Sequence, residues 1–269
     1  MSRFPGRIVC LTEETVETLY LLGEQDRIAG ISGFTVRPPE ARREKPMVSA
    51  FTSAKIGKIL DLKPDLVLGF SNLQADIARD LIREGINVLV FNQRSVAEIL
   101  DMMRLLGRIV GAEARCEVLL SEISNELEAI RFSAASLPYR PVVYFEEWMD
   151  PLISGIRWVE ELIEIAGGRP AFPELRYEHD ARNRIVTAEQ VAAANPDVLI
   201  ASWCGRKVSF DKIRQRPGWN RIKAVADDNL FEIKSSLILQ PGPAALTDGV
   251  RQIHEALKLA TSRSRRSSA

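Results

Sequence analysis

The chain has 269 residues but only two histidines, His179 and His254, and three cysteines, Cys10, Cys116 and Cys204. Histidine-based acid–base or metal chemistry therefore has little material. The cysteines form no C-x-x-C pair and leave at least one thiol free, which argues against a disulfide framework and fits a reducing compartment. Net charge is lacking too: Lys plus Arg and Asp plus Glu are both 36, so no overall field steers the chain to nucleic acid or to an anionic membrane. No apolar run approaches the roughly 18 residues that a spanning helix needs, which excludes membrane insertion. G-x-S-x-G, the P-loop, H-E-x-x-H and a G-x-G-x-x-G after a strand are all missing, so no enzyme class is announced. Residues 1–7 lead straight into an apolar strand, without the apolar core and small-residue cleavage site of a secretory signal. The chain as written is expected in the cytoplasm, and in the periplasm if an upstream signal has been trimmed or missed.

What is present is a repeat. Leu62-Lys63-Pro64-Asp65-Leu66-Val67-Leu68-Gly69-Phe70 recurs, about 130 positions on, as Ala194-Asn195-Pro196-Asp197-Val198-Leu199-Ile200-Ala201-Ser202, followed by Trp203. Pro-Asp before a short apolar run reads as a turn feeding a strand buried on both faces, as in a parallel sheet. Each copy is expected to end in an exposed aromatic, because ligands of open parallel sheets collect beyond the carboxyl ends of the strands.

The intervening pattern alternates strand and helix. Strands are predicted over residues 8–11, 28–32, 65–70 and 87–91, and helices over 13–22 (capped by Thr12, stopped by Gly23), 54–62 (capped by Ser53) and 74–84. Residues 34–46, polar and with three prolines, read as a loop. A helix from Ala112 to about Ser133 carries Val118, Leu119, Ile123, Leu127 and Ile130 at near-helical spacing and would reach roughly 33 Å, enough to bridge two small domains. After Pro138 and Pro141 a second series follows. It has strands over 142–145, 197–202 and 230–233, a helix over 158–166 closed by Gly167-Gly168, and a helix behind the capping-box spacing Thr187-Ala188-Glu189-Gln190. A last helix runs from Ala244 to about Ala260, before a basic, serine-rich tail expected to be disordered. The fold class is α/β: two Rossmann-like lobes with mostly parallel sheets, residues 1–110 and 138–260, joined by one long backbone helix over 111–137.

Five aromatics, Phe34, Phe51, Phe70, Trp148 and Trp203, fall at strand ends or in loops beyond them. Rings gathered there suit a broad, apolar, planar ligand in a cleft between lobes, although packing between loops and helices would explain any single one. Trp158, Trp219 and His254 fit core or surface positions. Cys204 is a candidate soft metal ligand or reactive thiol, with an inert cysteine as the plainer alternative, and His179 a weaker candidate for touching ligand or metal. Pro241-Gly242-Pro243 fixes a turn before the last helix, where backbone amides could meet a polar ligand group.

Taken in order, the first helix, Gly30-Ile31-Ser32, Pro38-Pro39, the segment Ile56 to Val67, Ser154-Gly155, Gly167-Gly168, Thr187 to Val191 and Asn195-Pro196-Asp197 resemble the helical-backbone (class III) substrate-binding proteins of ABC importers. That family carries ferric siderophores, haem and vitamin B12. The resemblance spans residue 7 to about 258 and is greatest to the cobalamin-binding members. It implies a non-catalytic protein with no intrinsic cofactor, holding cobalamin or a related corrinoid between its lobes. Phe34, Phe51 and Phe70 match positions where aromatics line the corrin ring. Leu152 and Asn183 stand where aromatics are expected, and Gln240 where an arginine is. The family docks on its permease through one glutamate per lobe: Glu189 matches the second, whereas Gly57, flanked by Lys55 and Lys58, replaces the first. Glu13 and Glu14 could substitute only if the docking surface is shifted. Two other readings stand beside the corrinoid. One is a ferric-siderophore or haem binder using Arg37, Arg157, Arg182, Arg184 and Arg206. The other is a cytoplasmic tetrapyrrole-handling protein not coupled to an importer, an enzyme or chaperone of tetrapyrrole metabolism that uses Cys204 or His179 near a bound metal.

Overall fold

The structure is a computed structural model that describes residues 4–267. The described chain separates into two compact units, one of residues 4–93, 97–122 and Pro241–Pro243, the other of 94–96, 123–240 and 244–267.

In the first unit the apolar runs form β1 (Ile8–Cys10), β2 (Ile28–Ser32), β3 (Met47–Ser49), β4 (Leu66–Phe70) and β5 (Val88–Phe91), all parallel in the order β3-β2-β1-β4-β5. Helices α1 (Glu13–Leu21), α2 (Pro39–Glu44), α3 (Ile56–Asp61) and α4 (Ala75–Arg83) connect them. The predicted alternation holds, and so does the stop at Gly23, whose φ of +69° suits glycine. Residues 34–46 are not all loop: Pro38 and Pro39 open α2, because proline is tolerated where a helix's first N–H groups have no acceptor. Val9, Leu11, Val48, Ile59, Val67 and Leu81 make the core under the sheet. After β5 comes α5 (Val96–Ile109), which the sequence reading passed over. It packs on α6 (Glu113–Ala134) so closely that a Cβ on Gly107 would lie 2.6 Å from that of Cys116. The predicted long helix is α6, of 22 residues, and it runs on from the first unit into the second after Glu122. Its buried positions are Cys116, Leu120, Ile123, Leu127 and Ile130, while Val118 is exposed.

The second unit has β6 (Val142–Met149), β7 (Leu152–Ser154), β8 (Arg169–Pro170), β9 (Val198–Ala201) and β10 (Leu230–Glu232), in the order β10-β9-β6-β7 with β8 against the start of β6. All pairs are parallel except the return β7 on β6. Helices α7 (Arg157–Ile165), α8 (Ala188–Ala194), α9 (Phe210–Arg214), α10 (Lys223–Ala226), α11 (Ser235–Ile238) and α12 (Val250–Ser267) complete it. β6 outruns its predicted end, so Trp148 lies within a strand rather than beyond one. Helix α12 continues through Ser267, which makes helix of most of the expected disordered tail; residues 268–269 lie outside the described residues. The core holds Tyr144, Leu199, Trp203 and Trp219, with Tyr144 edge-on to Phe172 and Trp219.

The Pro-Asp repeat has a physical cause that recurs in both units. Lys63 and Asn195 both take the left-handed conformation, φ 48° and 42°, turning the chain before the proline. The Asp65 carboxylate then accepts the N–H groups of Gly6 and Arg7 just ahead of β1, and the Asp197 carboxylate accepts the N–H of Val142, which starts β6. Asn87 and Asn229 donate their side-chain amides to the Asp65 and Asp197 carbonyls at 3.1 and 3.2 Å. Each copy thus ties three neighbouring strand starts together.

Candidate functional site

In a parallel sheet every strand points its carboxyl end to the same edge. In the first unit that edge carries Phe34, 54% exposed and two residues past β2, Phe51, half-buried and two residues past β3, and Phe70, the last residue of β4. The expectation of an exposed ring at the end of the first repeat is corrected: Phe70 is buried, and only Phe34 and Phe51 present surface.

What positions these loops is a residue the sequence reading did not single out. The chain leaves β4 through Ser71, a non-glycine residue at φ +65°, whose hydroxyl accepts the N–H of Leu73. That turn swings Gln74, 1% exposed, beneath the strand ends. Its Oε1 accepts the N–H of Phe70 at 2.9 Å, while its Nε2 donates to the carbonyl of Phe51 at 2.9 Å and approaches that of Leu11 at 3.4 Å. One side-chain amide therefore joins the ends of β1, β3 and β4. A Cβ on Gly69 would come within 2.8 Å of Oε1, so glycine leaves room for the amide. The available signal was the S-x-x-Q spacing of Ser71–Gln74, which ordinarily marks a capping box.

The N-terminus of α1 lies at the same edge. Glu13, Glu14 and Glu17 are all buried in a helix of nine residues. Burial pushes the Glu13 carboxyl up to about 8, with Glu14 and Glu17 adding to the rise and the Val36 N–H and Arg42 opposing it. Burial likewise lifts Glu14 to about 7, against a 2.6 Å hydrogen bond donated by Thr12. Its Oε2 has no partner among the described residues. Glu17 pairs with Arg37 at 2.9 Å. Pro241–Pro243 packs on this helix: a Cβ on Gly242 would sit 2.4 Å from that of Glu14, and Gln93 donates to the Pro241 carbonyl at 3.0 Å. Gly242 is thus a close-packing glycine against α1. Glu13 and Glu14, being buried, are not surface acids and do not offer the exposed carboxylates that a shifted docking surface would need.

In the second unit Trp148 is half-buried, its Nε1 donating to the Asp150 carbonyl at 3.0 Å and its face covered by the Arg206 guanidinium at 5.3 Å. Trp203 is 3% exposed and belongs to the core, so the exposed ring expected after the second repeat is also corrected. Its Nε1 donates to Glu146 at 2.9 Å, and Glu146, wholly buried, is clamped by both terminal nitrogens of Arg216. Beyond Trp203, Cys204, Arg206 and Lys207 are exposed, as is Lys234 past β10, while Gln240 is half-buried. Leu152 is half-buried in β7, and Asn183 is exposed and bonded to Glu178.

Four of the five arginines considered for an anionic ligand already meet carboxylates: Arg37 with Glu17, Arg157 with Glu161, Arg182 with Asp180 and Arg184 with Glu147. Arg206 has no acidic partner among the described residues. Cys204 and His179 are both exposed, and no group of three His, Cys, Asp or Glu side chains among the described residues is placed to hold a metal. His254 is buried between the Ser133 hydroxyl and the Ala166 carbonyl, each at 2.9 Å. A carbonyl only accepts, so Nδ1 carries the proton and Nε2 takes that of Ser133, a structural role.

Glu189 is exposed in the first turn of α8, where the capping box predicted for Thr187 and Gln190 forms with both bonds. Its own N–H and the Thr187 hydroxyl hold its carboxyl below the usual range. Gly57, Lys55 and Lys58 are exposed, with nothing within 4 Å of a Cβ on Gly57. Among the described residues no helix is long and apolar enough to cross a membrane.

Comparison with known proteins agrees with this architecture. The chain is 25% identical over 267 residues to the uncharacterized ABC transporter substrate-binding lipoprotein YvrC of Bacillus subtilis, covering 96% of this chain and 81% of that one. It is 25% identical over 264 residues to the vitamin B12-binding protein of Vibrio cholerae, 96% and 91% of the two chains. The fold superposes on the periplasmic heme-binding protein RhuT of Roseiflexus with a TM-score of 0.80 at 23% identity, over 93% of this chain and 98% of that one. Residues 8–237, most of the chain, match the profile of the family described as periplasmic binding protein. The parallel sheets, the long helix and that match agree: the chain belongs to the periplasmic binding protein family.

Proposed function

We propose that this protein captures cobalamin or a related corrinoid and hands it on chemically unchanged. The observation that carries the reading is the set of aromatic rings left with free surface on strand-end segments, Phe34 and Phe51 in the first unit and Trp148 in the second. Covering a large ring contributes about 2 kcal/mol from area alone, and stacking adds about 1 kcal/mol. Charge supports the same choice, since most candidate arginines are spent on carboxylates of their own unit and little cationic capacity remains for a multiply anionic siderophore. The name of the Vibrio cholerae relative agrees in ligand class.

Haem is the second reading, favoured by one observation: Arg206 stacks on Trp148 with Lys207 and Lys234 exposed in the same unit, cations suited to a ligand's carboxylates. Titration with dicyanocobalamin, cobinamide and haem in parallel, followed by tryptophan fluorescence, separates the two. Saturable quenching by both corrinoids supports the first, and quenching by haem alone supports the second. No quenching by any of the three at micromolar concentration overturns ligand capture of this class.

Delivery would run through an ABC permease, as the YvrC name implies for that relative, with Glu189 as one contact. Gly57 between Lys55 and Lys58 leaves the first unit without the matching acid, so the docking would be lopsided. Cell fractionation of the natural protein tests whether it works in the periplasm, as the family's name has it, or in the cytoplasm.

A further inference from the structure

Gln74 is a buried amide whose hydrogen bonds all go to strand-end backbone, and we propose that it is the positioning residue that fixes the aromatic ligand-binding face of the first unit. The inference rests on the reading of Phe34 and Phe51 as ligand contacts and adds the device that sets one of them in place. Gln74 satisfies the N–H of Phe70 and the carbonyl of Phe51 at once, each at 2.9 Å, with the Leu11 carbonyl at 3.4 Å. Phe51 otherwise sits in a short connection between β3 and α3, held by backbone bonds from Ala50 to the Ser53 carbonyl and from Lys55 to that of Val48. A helix-to-strand packing residue would be apolar. An amide here has both donors and an acceptor to place, and its surroundings offer one N–H and two carbonyls.

The amide also has no surface role, at 1% exposure, and the strained Ser71 turn and the bare Gly69 both serve to admit it. Removing it takes away the donor to the Phe51 carbonyl beneath the ligand face. The loop bearing Phe51 then samples other positions, and ligand binding must reorder it.

The variants Gln74→Leu and Gln74→Glu test this with dicyanocobalamin or haem, whichever the unaltered protein binds. Gln74→Leu is expected to weaken binding about tenfold. Phe51→Leu, which weakens binding in the unaltered protein, is expected to have little further effect in the Gln74→Leu background, because the ring is no longer placed. Gln74→Glu keeps the acceptor for Phe70 but turns a carboxylate oxygen on the Phe51 carbonyl. Protonation restores a donor there. Its affinity relative to the unaltered protein is therefore expected to recover as pH falls from about 8 to about 5, an effect that a merely structural role would not show. Gln74 faces backbone atoms of Leu11, Gly69, Phe51 and Phe70, and taking the ratio removes the titration of Glu13 and Glu14. If Gln74→Leu does not fold, the Gln74→Glu pH profile carries the test. Full additivity of Gln74→Leu with Phe51→Leu, or a flat affinity ratio for Gln74→Glu, overturns the inference. Failure of the unaltered protein to bind any probe instead overturns the reading of function.

Discussion

Replacing Glu13 by glutamine should stabilise this protein more at pH 8 than at pH 6. Glu13 is 7% exposed, and its carboxyl is lifted to about 8, chiefly by burial and then by Glu14 and Glu17, against the Val36 N–H and Arg42. In the unfolded chain a glutamate titrates near 4.3. Between these values the folded protein holds a proton that the unfolded chain has released. Stability is therefore fully present below about pH 4, declines as pH rises and is lost through the folded value, by about 1.4 kcal/mol per pH unit. Integrated from pH 6 to pH 8, the loss for this one group is about 2 kcal/mol. Glutamine keeps an acceptor for the Val36 N–H and carries no charge at either pH, so it escapes that loss.

Denaturant or thermal unfolding of both proteins at pH 6, 7 and 8 reads the effect. The gain of Glu13→Gln over the unaltered chain should grow by about 2 kcal/mol between pH 6 and pH 8, or about 5 °C in melting temperature. The difference between the two proteins is the quantity to follow, because Glu160, lifted to about 8 by its own burial, titrates equally in both. A gain of the same size at pH 6 and pH 8 would show that Glu13 is charged in the folded state, and the account of α1 as a helix that buries neutral acids would fail.

Three further outcomes follow from the same geometry. Phe34→Ala should weaken corrinoid binding about tenfold in a fluorescence titration while leaving the melting temperature unmoved, because the ring is 54% exposed and supports no core. Trp203→Phe should cost about 1–3 kcal/mol in urea unfolding, since it leaves the buried Glu146 short of one donor, yet leave ligand affinity unchanged. Glu189→Lys should lower stability slightly, since it puts a cation in the first turn of α8, leave ligand affinity as it was and abolish stimulation of a reconstituted permease's ATPase, the exposed carboxylate having no partner within the fold beyond its own helix turn.

Much of the fold was legible because its signals are local. Pro-Asp after a left-handed residue, followed by a run of apolar residues, leaves the chain little choice but a turn into a buried strand, and both copies deliver it. The capping box of α8 and the stop at Gly23 are equally local. What escaped depends on partners far along the chain. α5 was passed over although Ile99, Met102, Met103 and Leu106 recur at helical spacing, and α2 was hidden by prolines that in fact sit where a helix tolerates them. Nothing local marks Asn87 or Asn229. Only the sheet shows that each reaches back to the aspartate of its own repeat.

At the site the division is sharper, because hydrophobic pattern reports that a ring wants cover without reporting what covers it. Phe34 and Phe70 both follow or end a strand, yet one is half in solvent and the other is buried. Trp203 is core because Glu146, 57 residues earlier, accepts its N–H, and Glu146 is itself tolerable there only because Arg216 arrives from 70 residues later. Glu13 and Glu14 carry the opposite error. Acids in the first turn of a helix read as surface residues favoured by the helix dipole, and no local signal says that Gly242 will press on one of them. Burial of a charged residue is decided by which segment packs upon it, and that segment lies more than two hundred residues away. The strand-end loops are therefore the region where composition and spacing name the candidates while long-range packing sorts them: Phe34, Phe51 and Trp148 keep surface, and Phe70, Trp203 and Gly242 are packed away.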